Sequence, residues 1–540
     1  MAACIQNPVL RGFNPDPAIC RVGDDYYIAT STFEWFPGCQ IHHSRDLRHW
    51  QLLGRPLDRV NQLDIKGIPD SCGVWAPCLT YSDGLFYLVY TIVRSFRGVW
   101  KDLSNYLVTS ADIQGPWSEP VYLNSSGFDP SLFHADDGRS WLLNMLVDHR
   151  QQKLFGGVVL QEYDKAAQQL LGDPRPIFAG TEHGCTEGPH LYSRNAYYYL
   201  LTAEGGTGYE HGMTVARSRS IFGPYEVHPA NPLMSSADTP GAYLQKTGHG
   251  GLVRTQNDEW YMSFLAARPL TTRGRCITGR ETALERIVWR DDDWPYLASG
   301  AQVARQQVEA PDLPDYPFAA KGERLDFDTP EIDIQFQALR VPLTPDWVNQ
   351  SDRPGYLRIY GRESLSSCFE QSLLARRVQA HASETSTSVQ FEPETFQQMA
   401  GLVCYYNTAH YHYLHISGDE FGSRTAGQPA RKFINVSTAD AGKVSEALPA
   451  GLEVTGIDTV YMKVDYNGAA LQFYVALVPG EWQAIGPVLD GSILSDDYVQ
   501  QSGTGDFYPA FTGAFVGLCC QDLSGKNRHA DFGFFTHQER

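Results

Sequence analysis

Three carboxylates with similar sequence surroundings are the residues best suited to chemistry. Asp16 and Asp129 each stand directly before a proline, and Glu187 stands before Gly188-Pro189. A carboxylic acid and a carboxylate on opposite sides of a bond can protonate a leaving oxygen and activate water, a chemistry that cleaves glycosidic bonds. We interpret Asp16 as a candidate general base and Glu187 as a candidate general acid. Asp129 would raise the pKa of the acid by like-charge repulsion.

These acids recur within an internal repeat. Five copies of a strand, a Gly/Asp/Asn turn and a second aromatic strand start near residues 16, 76, 129, 187 and 249. Such a period is typical of solenoids or propellers, and each copy has room for about four strands, the content of one propeller blade. Equivalent positions of five blades form a ring, so the sequence predicts that the three acids converge. One acid before proline is usually a turn residue, but acids at three of five equivalent positions are not explained by turn chemistry.

The repeat ends near residue 300, and a second β-rich region follows it. Pro311, Pro314 and Pro317 punctuate a polar segment of the kind found at domain boundaries. Beyond it, alternating apolar and polar residues favour a two-sheet sandwich. We predict an all-β fold with a five-bladed β-propeller over residues 1–310, a linker over 311–325 and a β-sandwich of jelly-roll, lectin-like type over 326–540.

Composition limits the partners and the compartment. The 540 residues carry a formal net charge of −19, which argues against binding to nucleic acid or to anionic membranes. The N-terminal residues lack the pattern of a signal peptide, and no apolar run is long enough to span a bilayer. Eleven cysteines without a Cys-x-x-Cys pair favour reduced thiols. We therefore expect a cytoplasmic protein.

Two basic side chains are candidates for balancing the acids. Arg280 is a plausible counter-charge and a donor to sugar hydroxyls. His249 occupies the equivalent position in the fifth copy and should face the axis. It is either a hydrogen-bonded channel histidine or a residue that holds Ca²⁺ or another divalent cation, directly or through water. The sequence has no metal-ligand cluster, so we expect that no cofactor is required.

Four motifs together resemble glycoside hydrolase family 43, and most closely its two-domain β-xylosidases. They are residues 14–17, 128–133, 186–189 and 279–283, and the resemblance extends over essentially the whole chain. It implies a five-bladed propeller and an inverting mechanism with Asp16 as general base, Glu187 as general acid and Asp129 as the residue that tunes and orients the acid. It also implies that Arg280, Trp75 and Phe33 line the subsite for the terminal sugar.

The resemblance further implies the substrate. It points to removal of single xylose units from the non-reducing ends of short β-1,4-xylooligosaccharides. In these enzymes the C-terminal sandwich lends an aromatic loop to the active site, and Phe511 matches that aromatic best. Residues 506–509, in the same Gly-rich loop, depart from the family pattern. The sequence leaves a homo-oligomer, as a dimer or tetramer, open.

Three alternatives stay open. The nearest is an α-L-arabinofuranosidase, or an enzyme with both activities, because the two sugars can present similar hydroxyl patterns. A second is a retaining glycosidase of another five-bladed family, whose two carboxyls would lie about 5–5.5 Å apart instead of about 6.5–9.5 Å. A third is a carbohydrate-binding propeller without catalysis, against which the presence of all three acids argues.

Overall fold

The computed structural model describes residues 3–98, 100–319, 322–420, 431–502 and 510–540. The chain divides into two compact units. The first comprises Met1–Ile65, Cys72–Arg273 and Arg280–Ala319, and the second comprises Lys66–Ser71, Gly274–Gly279 and Ala320–Arg540. Two short segments that precede residue 280 thus belong to the second unit. The linker over 311–325 stays a prediction.

The first unit is built from short antiparallel strands. Its strands are β1 (Cys4–Gln6), β2 (Ala18–Val22), β3 (Asp25–Thr30), β4 (Trp35–Phe36), β5 (Gln40–Ser44), β6 (Gln51–Gly54), β7 (Gly73–Ser82), β8 (Leu85–Arg97), β9 (Trp100–Ser110), β10 (Val121–Asn124), β11 (Ser131–His134), β12 (Ser140–Val147), β13 (Phe155–Asp164), β14 (Gln169–Phe178), β15 (Glu187–Arg194), β16 (Tyr197–Glu204), β17 (Gly212–Ser218), β18 (Glu226–Val227), β19 (Met234–Ser235), β20 (Gln245–Arg254), β21 (Trp260–Ala267), β22 (Glu281–Trp289), β23 (Pro295–Leu297) and β24 (Gln307–Glu309). A 3₁₀ turn covers Arg150–Gln152.

These strands form five blades in the described part of the unit. The blades are β2-β3-β5-β6, β7-β8-β9-β10, β11-β12-β13-β14, β15-β16-β17-β18 and β20-β21-β22-β23. The first strand of each blade lies beside the first strands of its two neighbours, which closes a ring around a central axis. Strand β1 pairs with β24 and so joins the two ends of the unit. The predicted five-bladed propeller is confirmed.

The repeat signature corresponds to tight hairpins. In the second blade, Ser82 pairs with Leu85, and the two residues between them, Asp83 and Gly84, have φ values of 52° and 80°. Two consecutive left-handed residues make the two-residue hairpin turn whose twist matches that of the flanking strands. Buried aromatic and aliphatic side chains fill the space between neighbouring blades, as Ile28, Tyr261 and Leu284 do between the first and fifth.

The strand order places several connections on one face of the propeller. Because successive strands are antiparallel, the start of the first strand of a blade lies at the same end as the connection between its second and third strands. We call this end the entrance face. It carries the starts of β2, β7, β11, β15 and β20 and the connections β3–β5, β8–β9, β12–β13 and β16–β17.

The second unit is a two-sheet sandwich, as predicted. Its strands are β25 (Arg324–Leu325), β26 (Gln337–Leu339), β27 (Val348–Asn349), β28 (Leu357–Tyr360), β29 (Leu373–Arg377), β30 (Ala382–Phe391), β31 (Gln398–Asn407), β32 (His410–Gly418), β33 (Lys432–Asp440), β34 (Lys443–Glu446), β35 (Leu452–Glu453), β36 (Val460–Asn467), β37 (Ala470–Ala476), β38 (Gln483–Asp490), β39 (Phe515–Asp522) and β40 (His529–Glu539). A 3₁₀ turn covers Gly491–Ile493, and helix α1 covers Asp496–Ser502.

The two sheets of the sandwich follow the predicted alternation. One contains β34-β33-β32-β31-β39-β29-β26 and the other β27-β28-β40-β30-β36-β37-β38. Along β36 buried residues alternate with partly exposed ones, because a strand turns successive side chains to opposite faces. All eleven cysteines of the chain are free thiols. The helices of the described segments include none with the length and apolar character needed to cross a membrane.

Candidate active site

A left-handed residue stands at or near the start of the first strand in every blade. The five residues are Asp16, Ala76, Asp129, Gly188 and His249, with φ values of 55°, 36°, 55°, 55° and 40°. Pairing registers shift at this position in β7, β15 and β20, as expected where a bulge inserts a residue. The repeat therefore bends the backbone at five equivalent places around the axis.

Glu187 does not occupy the left-handed position of its blade. That position belongs to Gly188, and Glu187 precedes it. The residues equivalent to Glu187 in the second and third blades are Trp75 and Phe128, whose rings pack at 5.5 Å. The sequence predicted one shared position for the three acids; the structure uses two adjacent positions of the same repeat. Two acids come from the left-handed residue and the third from the residue before it.

Asp16 lies among hydrogen-bond donors. Ser31 Oγ donates to its Oδ2 over 2.6 Å, and Arg280 Nη1 donates to its Oδ1 over 3.2 Å. His249 Nδ1 lies 3.6 Å from the same Oδ1. The Ser31 hydroxyl in turn accepts the backbone N–H of Ala76 over 2.7 Å, so the second blade holds Asp16 through a serine. A guanidinium and a hydroxyl together provide a site for a buried carboxylate.

Asp129 is bound by the neighbouring blade in a similar way. The backbone N–H of Gly188 donates to Asp129 Oδ2 over 2.9 Å. Burial raises the pKa of Asp129 to about 6, and the charge of Asp16 adds to the rise, while His249, the Gly188 amide and Arg280 oppose it. The left-handed residues of the second and fourth blades thus supply N–H groups that support the acids of the first and third.

Glu187 has the strongest electrostatic reason to stay protonated. Burial raises its pKa well above the usual range, the charges of Asp129 and Asp16 raise it further, and Arg280 lowers it. Glu187 is only 7% exposed, and Asp16 and Asp129 are 6% and 7% exposed. The structure thus brings the three predicted acids together in one buried group.

Gly188 is also required for packing. A Cβ atom at this position would lie 2.8 Å from Cδ2 of His249, and the residue has a φ of 55°. Any larger residue would combine backbone strain with displacement of the imidazole. Glycine therefore lets His249 lie close to the backbone that carries Glu187.

Three further predicted residues lie together beside the acids. The guanidinium carbon of Arg280 is 5.6 Å from the centre of the Phe33 ring, and the Phe33 and Trp75 rings are 5.8 Å apart. Phe33 and Trp75 are 2% and 7% exposed. That Arg280, Phe33 and Trp75 line the terminal-sugar subsite stays a prediction.

Sequence reasoning missed several supporting residues. Ser31 gave no periodic signal, because its two partners come from different blades. Glu204 is fully buried and accepts from the Thr181 N–H over 2.9 Å and from Thr186 Oγ1 over 2.8 Å, which holds the segment that leads into Glu187. The sequence did not predict this structural task of Glu204.

Asn14 links the first and fifth blades. Its backbone N–H donates to the Arg280 carbonyl over 2.9 Å, and its carbonyl accepts from Thr282 Oγ1 over 2.6 Å. Gln40 donates to the Asn14 side chain over 2.7 Å. Because Asn14 precedes Asp16 by two residues, this network fixes Asp16 relative to Arg280.

Phe511 belongs to the second unit. Its backbone N–H donates to Ser71 Oγ over 3.1 Å, and the residue is 7% exposed. Its part in the terminal-sugar subsite stays a prediction. Residues 506–509, which depart from the family pattern, lie outside the described residues.

One group of side chains in the described ranges could share a cation. Its members are Asp46, His49 and Asp315, whose donor atoms lie within 4.8 Å of one another. Asp46 Oδ2 already accepts from Tyr316 N–H over 2.8 Å and contacts His49 Nδ1 at 2.6 Å. The predicted candidate, His249, is not part of this group. Nothing therefore establishes a metal site.

The propeller thus holds one buried carboxyl with a strongly raised pKa, a second supported by donors, a third whose pKa is raised to about 6 and an arginine that contacts the second. This is the acid–base equipment of a glycoside hydrolase. Residues 5–295 match the model of glycosyl hydrolases family 43, and residues 324–538 match the β-xylosidase C-terminal concanavalin A-like domain. The chain belongs to glycosyl hydrolase family 43.

Characterised and solved relatives resemble the chain over its whole length. It is 48% identical to a β-xylosidase of Bacillus subtilis, covering 99% of this chain and 100% of the relative. It is also 48% identical to xylosidase/arabinosidase 43B of Humicola insolens, covering 99% and 97%. A crystal structure of a xylan β-1,4-xylosidase from Bacillus halodurans superimposes with a TM-score of 0.94 at 49% identity, covering 99% and 100%.

Proposed function

We propose that this protein is an inverting exo-β-xylosidase that releases single xylose units from the non-reducing ends of β-1,4-xylooligosaccharides. The observation that carries the proposal is the contrast between two acids of one site. Glu187 has a pKa raised by burial and by neighbouring carboxylates, whereas Asp16 accepts from Ser31 and Arg280. Glu187 is therefore suited to be the general acid, and Asp16 is suited to be the general base.

The proposed reaction uses both groups in one displacement. Asp16 takes a proton from water, and the water oxygen attacks the anomeric carbon. The bond from that carbon to the leaving oxygen breaks, and Glu187 gives its proton to this oxygen. Attack from the opposite face converts a β-linked xyloside into α-xylose. Asp16 ends protonated and Glu187 ionised, so a proton exchange with solvent resets the site.

Asp129 and Arg280 have distinct proposed tasks. Asp129 is a positioning residue that raises the pKa of Glu187 through its charge and accepts from the amide next to it. Arg280 orients Asp16 and is proposed to donate to a hydroxyl of the terminal xylose, beside Phe33 and Trp75.

The product profile on xylotriose tests the proposal directly. Proton NMR should show α-xylose and xylobiose as the first products. First-formed β-xylose would indicate retention, and a newly formed α anomer on xylobiose instead of on xylose would exclude release from the non-reducing end. A Glu187→Gln variant with full activity would remove Glu187 as the general acid, and a wild-type protein that binds xylotriose without hydrolysing it would revive a non-catalytic binding role.

A second activity, α-L-arabinofuranosidase, is favoured by one observation. The Humicola relative, 48% identical to this chain, is named a xylosidase/arabinosidase. Rates on an aryl β-xyloside and an aryl α-arabinofuranoside, measured with one enzyme preparation, decide between a xylosidase, an arabinofuranosidase and an enzyme with both activities.

We propose that the reaction requires no cofactor, because two carboxyls supply its acid and base. Ca²⁺ takes six to eight oxygen ligands. His249 with Asp16 3.6 Å away offers too few protein ligands for direct binding, so a cation beside His249 would be held through water. Dialysis against EDTA should leave the rate unchanged; loss of activity that Ca²⁺ restores would contradict this.

Two further points concern the cellular location and the oligomeric state. Eleven free thiols support a cytoplasmic location, which cell fractionation would test. The sequence leaves a homo-oligomer, dimer or tetramer, open, and light scattering after size exclusion would measure its mass.

A further inference from the structure

The hairpin between β8 and β9 extends beyond its blade on the entrance face. Strand β7 begins at Gly73, which pairs with Val93, so the residues of β8 after Val93 have no partner in β7. Strands β8 and β9 continue to pair beyond that point, with Phe96 opposite Lys101 and residue 97 opposite Trp100. The end of the hairpin therefore projects past the inner strand at the face where the acids lie.

The two sides of this hairpin contact different structures. Phe96 packs against Trp75 with ring centres 5.0 Å apart, and Lys101 Nζ lies 3.7 Å from the centre of the Phe96 ring. Trp100 lies on the next rung, about 3.4 Å along the strand, where side chains point to the opposite side. Trp100 thus lies on the side of the hairpin opposite to Phe96 and Lys101.

Trp100 is held in a defined orientation although it is exposed. It is 68% exposed, yet its ring stacks on His149 with centres 4.5 Å apart and an angle of 28° between the planes. His149 comes from the β12–β13 connection of the next blade, also on the entrance face. One face of the indole is therefore covered and the other is open to solvent.

Polar groups flank the stack. Asp148 and Arg150, on either side of His149, form an ion pair of 2.8 Å, and the Arg150 side chain is 78% exposed. A pyranose has an apolar face suited to an aromatic ring and peripheral hydroxyls suited to a carboxylate and a guanidinium. We call Trp100, Asp148, His149 and Arg150 the Trp100 platform.

We propose that the Trp100 platform binds a xylosyl unit of the leaving oligosaccharide, beyond the sugar that is removed. This rests on the proposed function: in an enzyme that takes the terminal xylose into a buried site, the rest of the substrate leaves through the entrance face. Binding energy from this remote unit would then favour longer substrates. The platform is a specificity determinant, not part of the acid–base machinery.

Trp100→Ala tests the platform when longer and shorter substrates are compared. We expect kcat/KM on xylotetraose to fall about fivefold to tenfold, the size expected for loss of one stacking contact, and kcat/KM on an aryl β-xyloside to change less than twofold. Trp100→Phe should recover most of the loss. Tyr122→Ala, which removes a 56% exposed aromatic from the outer strand of the same blade, should change neither.

Several results would overturn the proposal. One is an equal loss on both substrates, since it would place the effect in the acid–base site. Another is no loss on xylotetraose. A change of oligomeric mass on Trp100→Ala would show that a second copy of the chain covers the ring. If the wild-type enzyme cleaves xylooligosaccharides but Trp100→Ala leaves kcat/KM on xylotetraose unchanged, the platform proposal fails alone; if the wild-type enzyme cleaves no xylooligosaccharide, the proposed function fails as well.

Discussion

The buried acids of the propeller fall into two groups that differ in how their charge is balanced. Glu281 is fully buried and accepts from Arg268 Nε over 2.6 Å, from Arg268 Nη2 over 2.8 Å and from the Gly12 N–H over 2.7 Å. Asp129 and Glu187 are almost as buried, yet burial and like charges raise their pKa values. A carboxylate with a full set of donors is structural, and one held without them is suited to proton transfer.

Adjacent residues on one strand edge separate the two roles. Arg280 turns to Asp16 and Glu281 turns to Arg268, because successive residues of an extended chain face opposite ways. The same short motif therefore serves the site with one residue and stabilises the blade with the next.

Asp16→Asn should give the largest effect on activity. Removing the general base should lower kcat by about 10³-fold on every substrate, since water must be activated whatever the leaving group. Steady-state rates on an aryl xyloside and on xylobiose measure it. A normal rate on the aryl xyloside would remove Asp16 from the mechanism.

Glu281→Gln should give the largest effect on stability. It removes the charge of Glu281 from beside the partly buried Arg268 guanidinium, which costs about 3 kcal/mol. The melting temperature at pH 7 should therefore fall. An unchanged melting temperature would show that the Arg268–Glu281 pair is not a stabilising element.

Asp129→Asn should affect stability in the opposite direction. The folded-state pKa of about 6 lies above the unfolded value near 3.8, so the wild-type protein loses stability as pH rises from about 4 to 6. At pH 8 the variant should be about 1–2 kcal/mol more stable than wild type and should melt at a higher temperature. At pH 4 the two proteins should melt at the same temperature. A lower melting temperature at pH 8 would contradict the contrast with Glu281.

The sequence predicted the ring of acids but not how the ring is assembled. Aromatic strands and Gly/Asp/Asn turns recur at a period typical of solenoids or propellers, and equivalent positions of five blades form a ring, so the convergence of Asp16, Asp129 and Glu187 was predictable. The offset of Glu187 from the left-handed position was not predictable, because the bulge at Gly188 is a pairing feature. Ser31, Glu204 and the Arg268 partner of Glu281 were missed because their contacts are made between distant segments.

Ser31→Ala should give a smaller effect that identifies a positioning role. Loss of the hydroxyl frees Asp16 from one donor and leaves the Ala76 N–H without its acceptor, so kcat should fall about tenfold with little change in KM. Ser236→Ala, which removes a buried hydroxyl bonded to the Leu244 carbonyl, serves as the control. Equal losses of kcat in Ser31→Ala and Ser236→Ala would show that the Ser31 effect comes from general destabilisation.

The pH dependence of kcat/KM for wild type and Asp129→Asn tests the central claim most directly. The charges of Asp129 and Asp16 help to keep Glu187 protonated. Removing the charge of Asp129 should therefore lower the pKa of Glu187 and move the basic limb of the profile to lower pH. The part of the shift caused by burial should remain. A basic limb at the same pH in both enzymes would contradict the account.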